Sequence, residues 1–86
     1  MNNSTSKEAE RVISYLVNRK ISRNMTLINM YGDKSQYPKF PTNKLFAQND
    51  LMRRTKKLYY NGIITFDEAV KYIANDSIDD SYYDKF

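Results

Sequence analysis

Apolar residues recur at three- and four-residue steps through the first third of the chain, at Ala9, Val12, Ile13, Leu16, Val17, Ile21, Met25 and Ile28. This is the period of one buried face on an α-helix, where positions three and four apart lie above one another. Thr5 and Glu8 stand at the spacing of a capping box just before the pattern begins, and Gly32 follows its end at Tyr31 as a left-handed stop. Inside the pattern, "SRN" at residues 22–24 leaves two options open, one long helix or two, because Asn24 is a residue type that caps helices.

The segment from Gly32 to Thr42 holds both prolines of the chain, which have no amide hydrogen to give a helix, and predicts a loop. Its rings, Tyr37 and Phe40, are expected to tuck under the helices and close the core. Thr42 or Asn43 is expected to cap a second helix, with Leu45, Phe46, Met52, Leu58 and Tyr59 as an imperfect apolar stripe and Asn61–Gly62 as its stop. "QND" at 48–50 offers a later start for a shorter helix. Thr65 and Glu68 then form a second capping box, Ile64 is placed to staple it, and Phe66, Ala69, Val70 and Ile73 make the buried side of a short third helix.

No segment alternates convincingly as a strand. The expected fold is therefore all-α: a small bundle of three helices, or four if the first is broken, with a helix-turn-helix-like corner at "NGIIT". Residues 1–5 are expected to be disordered, 6–75 to form the helical domain and 76–86 to form an acidic, tyrosine-containing tail.

Composition narrows the chemistry. An 86-residue chain makes one domain at most, with an economical core. Without cysteine there is no thiolate cage or disulfide, and without histidine the commonest general base and metal ligand are missing. Glycine is too scarce for a phosphate-cradling loop and no serine lies in a nucleophile motif, so neither an enzyme, a cofactor nor a small-molecule substrate is expected. Asp76, Asp79, Asp80 and Asp84 lack the glycine and terminal glutamate of a calcium loop, and the expectation is a solvated tail or a docking segment, with no metal. The polar start and the absence of a long apolar run point to a cytoplasmic chain with no membrane partner. Abundant Asn, Lys, Tyr and Ile suggest an AT-rich coding sequence and, by association alone, a mobile-element or phage origin.

Charge changes the picture most. The formal net of +4 is split: residues 1–66 carry 12 Lys and Arg against 4 Asp and Glu, whereas residues 67–86 carry 2 against 6. At about 100° per residue, Met52 turns toward the core while Arg53, Arg54 and Lys57 fan over the other half of the helix, with Lys56 nearer the apolar edge. Arg11, Tyr15, Arg19 and Arg23 make a second stripe at four-residue steps, and Lys34 and Lys39 flank the loop aromatics. If the first two helices pack antiparallel, the stripes are expected to merge into one positive strip suited to phosphates, with Tyr60 as a platform for a base and Tyr37 or Phe40 extending it. The third helix is rejected as a reader of duplex DNA, because Asp67 and Glu68 would face the phosphates.

The resulting expectation is a small accessory protein that binds nucleic acid without sequence specificity, single-stranded DNA in preference, and serves a larger replication or recombination enzyme. The alternative is an inhibitor or adaptor that binds an acidic protein, or docks through its acidic tail or an apolar helix face.

Overall fold

The computed structural model describes residues 6–74, and within them the chain is all-helical. Helix α1 spans Lys7–Tyr31, α2 spans Thr42–Tyr60 and α3 spans Phe66–Ala74, and each packs against the other two. The Tyr60 hydroxyl reaches the Glu10 carbonyl, whereas Gln48 and Asn49 meet Asn24, so α1 and α2 run antiparallel. Phe66 lies beside Ser6, Glu8, Ala9 and Val12, and Ile73 beside Leu16, Arg19, Lys20 and Arg23. Helix α3 thus runs along α1 in the same direction and stops near its middle.

The ends of the helices follow local chemistry, with three departures from the sequence expectation. The start of α1 is capped one residue later than expected: Ser6 accepts the Ala9 amide at 3.1 Å, and Thr5 lies outside the described residues. Gly32 is right-handed, at φ −78°, so it does not end α1 by left-handed geometry. It is needed for closeness instead, because a Cβ there would clash with the Ile28 carbonyl oxygen, to which its own amide donates. Helix α2 begins after Pro41 with no side-chain cap, and Thr42 is its first residue and buried; neither Thr42 nor Asn43 caps it.

The expected stop of α2 and start of α3 both hold. Gly62 adopts φ 75°, its amide donates to Tyr59, and the Ile63 amide donates to Leu58. These two bonds together satisfy the last carbonyls of a helix that ends in a left-handed glycine. Three residues on, Thr65 Oγ1 accepts the Glu68 amide at 3.1 Å while Glu68 Oε1 accepts the Thr65 amide at 2.9 Å, a complete capping box.

The core is Ile13, Val17, Leu51, Met52, Tyr59, Ala69 and Ile73, with Ala9, Leu16, Ile21, Ile64 and Val70 packed around it. Val12 and Phe46, expected inside, are more than two-fifths exposed, and Phe66 lies at the rim with its ring edge-on to Tyr59. Leu51 and Tyr72 take buried places that the apolar stripes left out. Tyr31 gathers Tyr37 and Phe40 at 5.2 and 5.5 Å between ring centroids, so the loop rings close over the end of α1.

Helix α1 is continuous through residues 22–24, and Asn24 is no cap. It is almost fully buried, and its Nδ2 donates to Gln48 Oε1 at 2.8 Å and to Asn49 Oδ1 at 2.9 Å. "QND" likewise starts no helix: Gln48 and Asn49 are buried within α2 as the acceptors, and Asn49 Nδ2 turns back to Met25 Sδ at 3.5 Å. A buried amide without a partner loses its solvation with nothing in return. This cluster therefore fixes which turn of α1 faces which turn of α2. Replacing Asn24 by Ala takes the shared donor from two buried acceptors, at about 1–3 kcal/mol for an acceptor left unpaired. Urea unfolding should show Asn24→Ala less stable by about 2–4 kcal/mol, whereas Ser22→Ala, on the exposed side, should stay within about 0.5 kcal/mol of the parent.

Candidate nucleic-acid interface

The cations of α2 sit as the helical period requires. Arg53, Arg54 and Lys57 are exposed and Lys56 is half-buried, opposite a Met52 that is sealed from solvent. Arg53 is drawn to Asp50, one turn earlier, at 3.3 Å, an exposed pair that contributes little to stability but occupies part of its charge. Arg54 and Lys57 line a concavity with Leu58, Asn61 and Ile63, at the corner that leads into α3. Ile63 at its edge is 65% exposed, the most open large apolar residue described.

Along α1, Arg11, Tyr15, Arg19 and Arg23 are all exposed. Four-residue steps advance about 40° beyond a full turn each, so the stripe winds roughly 120° round the helix from Arg11 to Arg23. Its far end therefore turns toward α3: Arg19 and Arg23 line a second concavity with Leu16, Lys20 and Ile73. Arg23 continues into a third, with Asn24, Leu27, Leu45 and Gln48, where α1 and α2 meet beyond the end of α3. Arg19 and Arg23 of α1 and Arg54 and Lys57 of α2 line separate concavities with no member in common. The antiparallel packing expected of the two helices is present.

Tyr60 is bound into the fold. Its hydroxyl donates to the Glu10 carbonyl at 3.1 Å, its ring meets Tyr59 edge-on, and Lys56 Nζ stands 5.6 Å from its centroid. Tyr15 is freer: it is 62% exposed, with Arg11 and Arg19 one turn to either side. The loop rings cannot extend a platform from Tyr60. Glu10, which holds Tyr60, and Tyr31, which holds Tyr37 and Phe40, are 21 residues apart on one helix, and the rise per residue makes that about 30 Å. Lys34 and Lys39 are exposed beside those rings. Asp33 steadies the same loop by accepting both the amide and the hydroxyl of Ser35, and these bonds hold its carboxyl below the usual carboxylate range.

The acidic residues also have a place. Glu8 and Glu10 open α1, Asp67 and Glu68 open α3, and those two helices begin side by side. Carboxylates are favoured there because the amides at the start of a helix carry partial positive charge. The same end also carries Lys7 and Arg11 of α1 and Lys56 and Lys57 of α2, so the carboxylates there stand among cations. Among the described residues no group of three or more Asp, Glu, His or Cys comes together as a metal site, and Asp76, Asp79, Asp80 and Asp84 lie outside them. No described helix is long and apolar enough to cross a membrane.

Sequence reasoning missed Lys20, Leu16 and Ile73 beside Arg19 and Arg23, and Ile63 beside Arg54 and Lys57. A helical wheel for α1 places Lys20 next to Arg23, but only the position of α3 tells that Ile73 completes the wall. No protein-family model, curated protein or solved structure matches the chain.

Burial pushes the Tyr59 hydroxyl above its ordinary pKa of 10.0, with Glu10 and then Tyr60 adding to the shift. The folded state therefore keeps this proton longer than the unfolded chain does. Its contribution to stability is complete below pH 10 and is lost as pH rises through the raised value. In an alkaline unfolding titration, Tyr59→Phe should match the parent near neutrality and lose less stability above pH 10.

Proposed function

We propose that this chain is a small helical accessory protein that binds nucleic acid without reading its sequence, with single strands preferred, in the service of a larger replication or recombination enzyme. One observation carries the reading. The described residues hold 13 Lys and Arg against 6 Asp and Glu, a net of +7, so at least 7 cations lack a carboxylate of their own within them however the pairs are drawn. Four of those carboxylates lie in the first turns of α1 and α3, where the helix amides favour them. Phosphates placed against such a surface release condensed counterions, and that release drives binding whatever the bases are.

Arg19, Arg23, Arg11, Arg54 and Lys57 are the phosphate contacts of this reading, with Lys34 and Lys39 at the loop end and Arg53 weakened by Asp50. Tyr15 is the ring on which a base stacks, since it is open and lies between two arginines one turn away on either side. Tyr60, tied to α1 and covered by Lys56, serves the fold first and the ligand second. The preference for single strands follows from the open aromatic; if duplex is bound, α2 is the contacting element, because Asp67 and Glu68 open α3.

The second reading, an adaptor for an acidic protein partner, draws on Ile63. An open isoleucine beside Arg54 and Lys57 combines an apolar contact with charge, the mixture that protein interfaces use.

Binding to single-stranded and duplex oligonucleotides across a salt series decides between the readings. The first expects affinity that falls steeply with salt, and a slope reduced by about 1.4 when Arg19→Ala and Arg23→Ala are combined, two single-strand phosphate contacts being lost. Tyr15→Ala should weaken single-strand binding by about tenfold and leave stability unchanged, whereas Tyr60→Ala should lower stability. No binding at low salt, with Ile63→Asp abolishing capture of a co-purifying acidic protein, supports the second.

A further inference from the structure

The concavity between α1 and α3 is lined by Leu16, Arg19, Lys20, Arg23 and Ile73, and every charge on that lining is positive. The three cations come from α1, and α3 contributes the apolar Ile73. Arg19 and Arg23 are both exposed and stand about one turn apart, roughly 6 Å along the helix axis. Among the described residues neither is paired with a carboxylate, in contrast to Arg53, which Asp50 holds at 3.3 Å. Low-dielectric walls around charges of one sign concentrate their field, so an anion gains more in such a hollow than on the open face of a helix.

The kind of cation selects among phosphates. An internal phosphodiester carries a single charge and two unbridged oxygens, which one guanidinium fork satisfies in bidentate fashion. A phosphomonoester carries about 1.5 to 2 charges at neutral pH and three terminal oxygens, and two forks converging on it match both counts. The concavity holds about 400 Å³, inside the range of roughly 300–1,000 Å³ for small-ligand sites, so it admits a nucleoside together with its phosphate. Leu16 and Ile73 supply the apolar surface for that nucleoside. The geometry points to a phosphomonoester site at Arg19 and Arg23, which takes the phosphorylated end of a nucleic-acid strand or the same group on a free nucleotide.

The strand-end form rests on the nucleic-acid reading and gives it an anchor. Tyr15 stands one turn before Arg19 on the same helix, so a strand held by its end at Arg19 and Arg23 lays its next bases over that ring and passes on toward Arg11. Internal segments of a strand bind through diffuse charge attraction alone, whereas an end adds the site to it.

Four probes test this with the full protein: a short oligothymidylate phosphorylated at its 5′ end, the same oligomer phosphorylated at its 3′ end, the oligomer with hydroxyls at both ends, and thymidine monophosphate. Near pH 7.5 one of the phosphorylated oligomers should bind about tenfold more tightly than the hydroxyl form, with the methyl resonances of Leu16 and Ile73 shifting. That preference should shrink severalfold at pH 5.5, below the monoester's second pKa of about 6. The chain has no histidine, the side chain that ordinarily titrates in this range, so the change belongs to the ligand. Arg19→Ala with Arg23→Ala should abolish the preference, and Arg19→Lys with Arg23→Lys, which keep the charge and lose the forks, should reduce it. Equal affinity for all three oligomers, or a preference that survives the double alanine variant, overturns the inference and leaves the nucleic-acid reading standing. If no oligomer binds while thymidine monophosphate shifts Leu16 and Ile73, the site stands as one for free nucleotides and the nucleic-acid reading falls. Binding of none of the four removes both.

Discussion

The register between α1 and α2 is held by three buried amides that meet across the helix pair. Asn24 is sealed inside, and both of its amide hydrogens are taken by Gln48 and Asn49 on the facing helix. Apolar side chains tolerate sliding by a turn, since one leucine replaces another at modest cost. Buried amides do not tolerate it, because any slip leaves acceptors without donors in a dry interior. Once this turn is fixed, antiparallel geometry brings Tyr60 to Glu10 at the other end, and that contact sets where the Gly62 corner releases α3. The placement of every cation then follows from position along two helices whose relation is already determined.

Charge and fold are separable in this molecule. The buried set is apolar, amide or hydroxyl-bearing and includes no charged residue, and the described cations are exposed or half-buried, so the positive surface is carried by a scaffold that does not need it. The carboxylates at the starts of α1 and α3 behave differently, since they sit where helix dipoles favour them and Glu68 also closes a capping box. Four of the six described carboxylates are thus placed for reasons of helix stability. The excess of positive charge elsewhere has no such explanation within the fold, and for that reason it is the feature from which a function is argued.

The parts of the fold legible in the sequence are those governed by neighbours within about one turn. Thr65 with Glu68 and Asn61–Gly62 carry their geometry in local chemistry, and the exposure of Arg53, Arg54 and Lys57 follows from the period once Met52 is known to face inward. Asn24 was illegible for the opposite reason. An asparagine suits a helix start or a buried polar cluster equally well, and the choice rests on partners 24 and 25 residues away. Gly32 misled in a similar way, because the same residue type answers a need for left-handed backbone or for space, and here the need is space. The candidate site divides along this line too: which residues are exposed was readable, but the concavities that Arg19 and Arg23 share with Ile73, and Arg54 and Lys57 with Ile63, depend on a tertiary placement that no periodicity encodes.

The inequality of the helices has a kinetic consequence. Detaching α3 uncovers Ala69, Tyr72 and Ile73 and the patches they cover, and leaves the amide cluster and the Ile13–Val17–Met52 contact between the long helices untouched. Separating α1 from α2 gives up all of that at once. Local opening should therefore be graded, with amide protons of the third helix exchanging with solvent through a low-energy excursion while those around Asn24 wait for the whole domain to come apart. A molecule built this way has a hinged flap at one flank and a hairpin that persists beneath it.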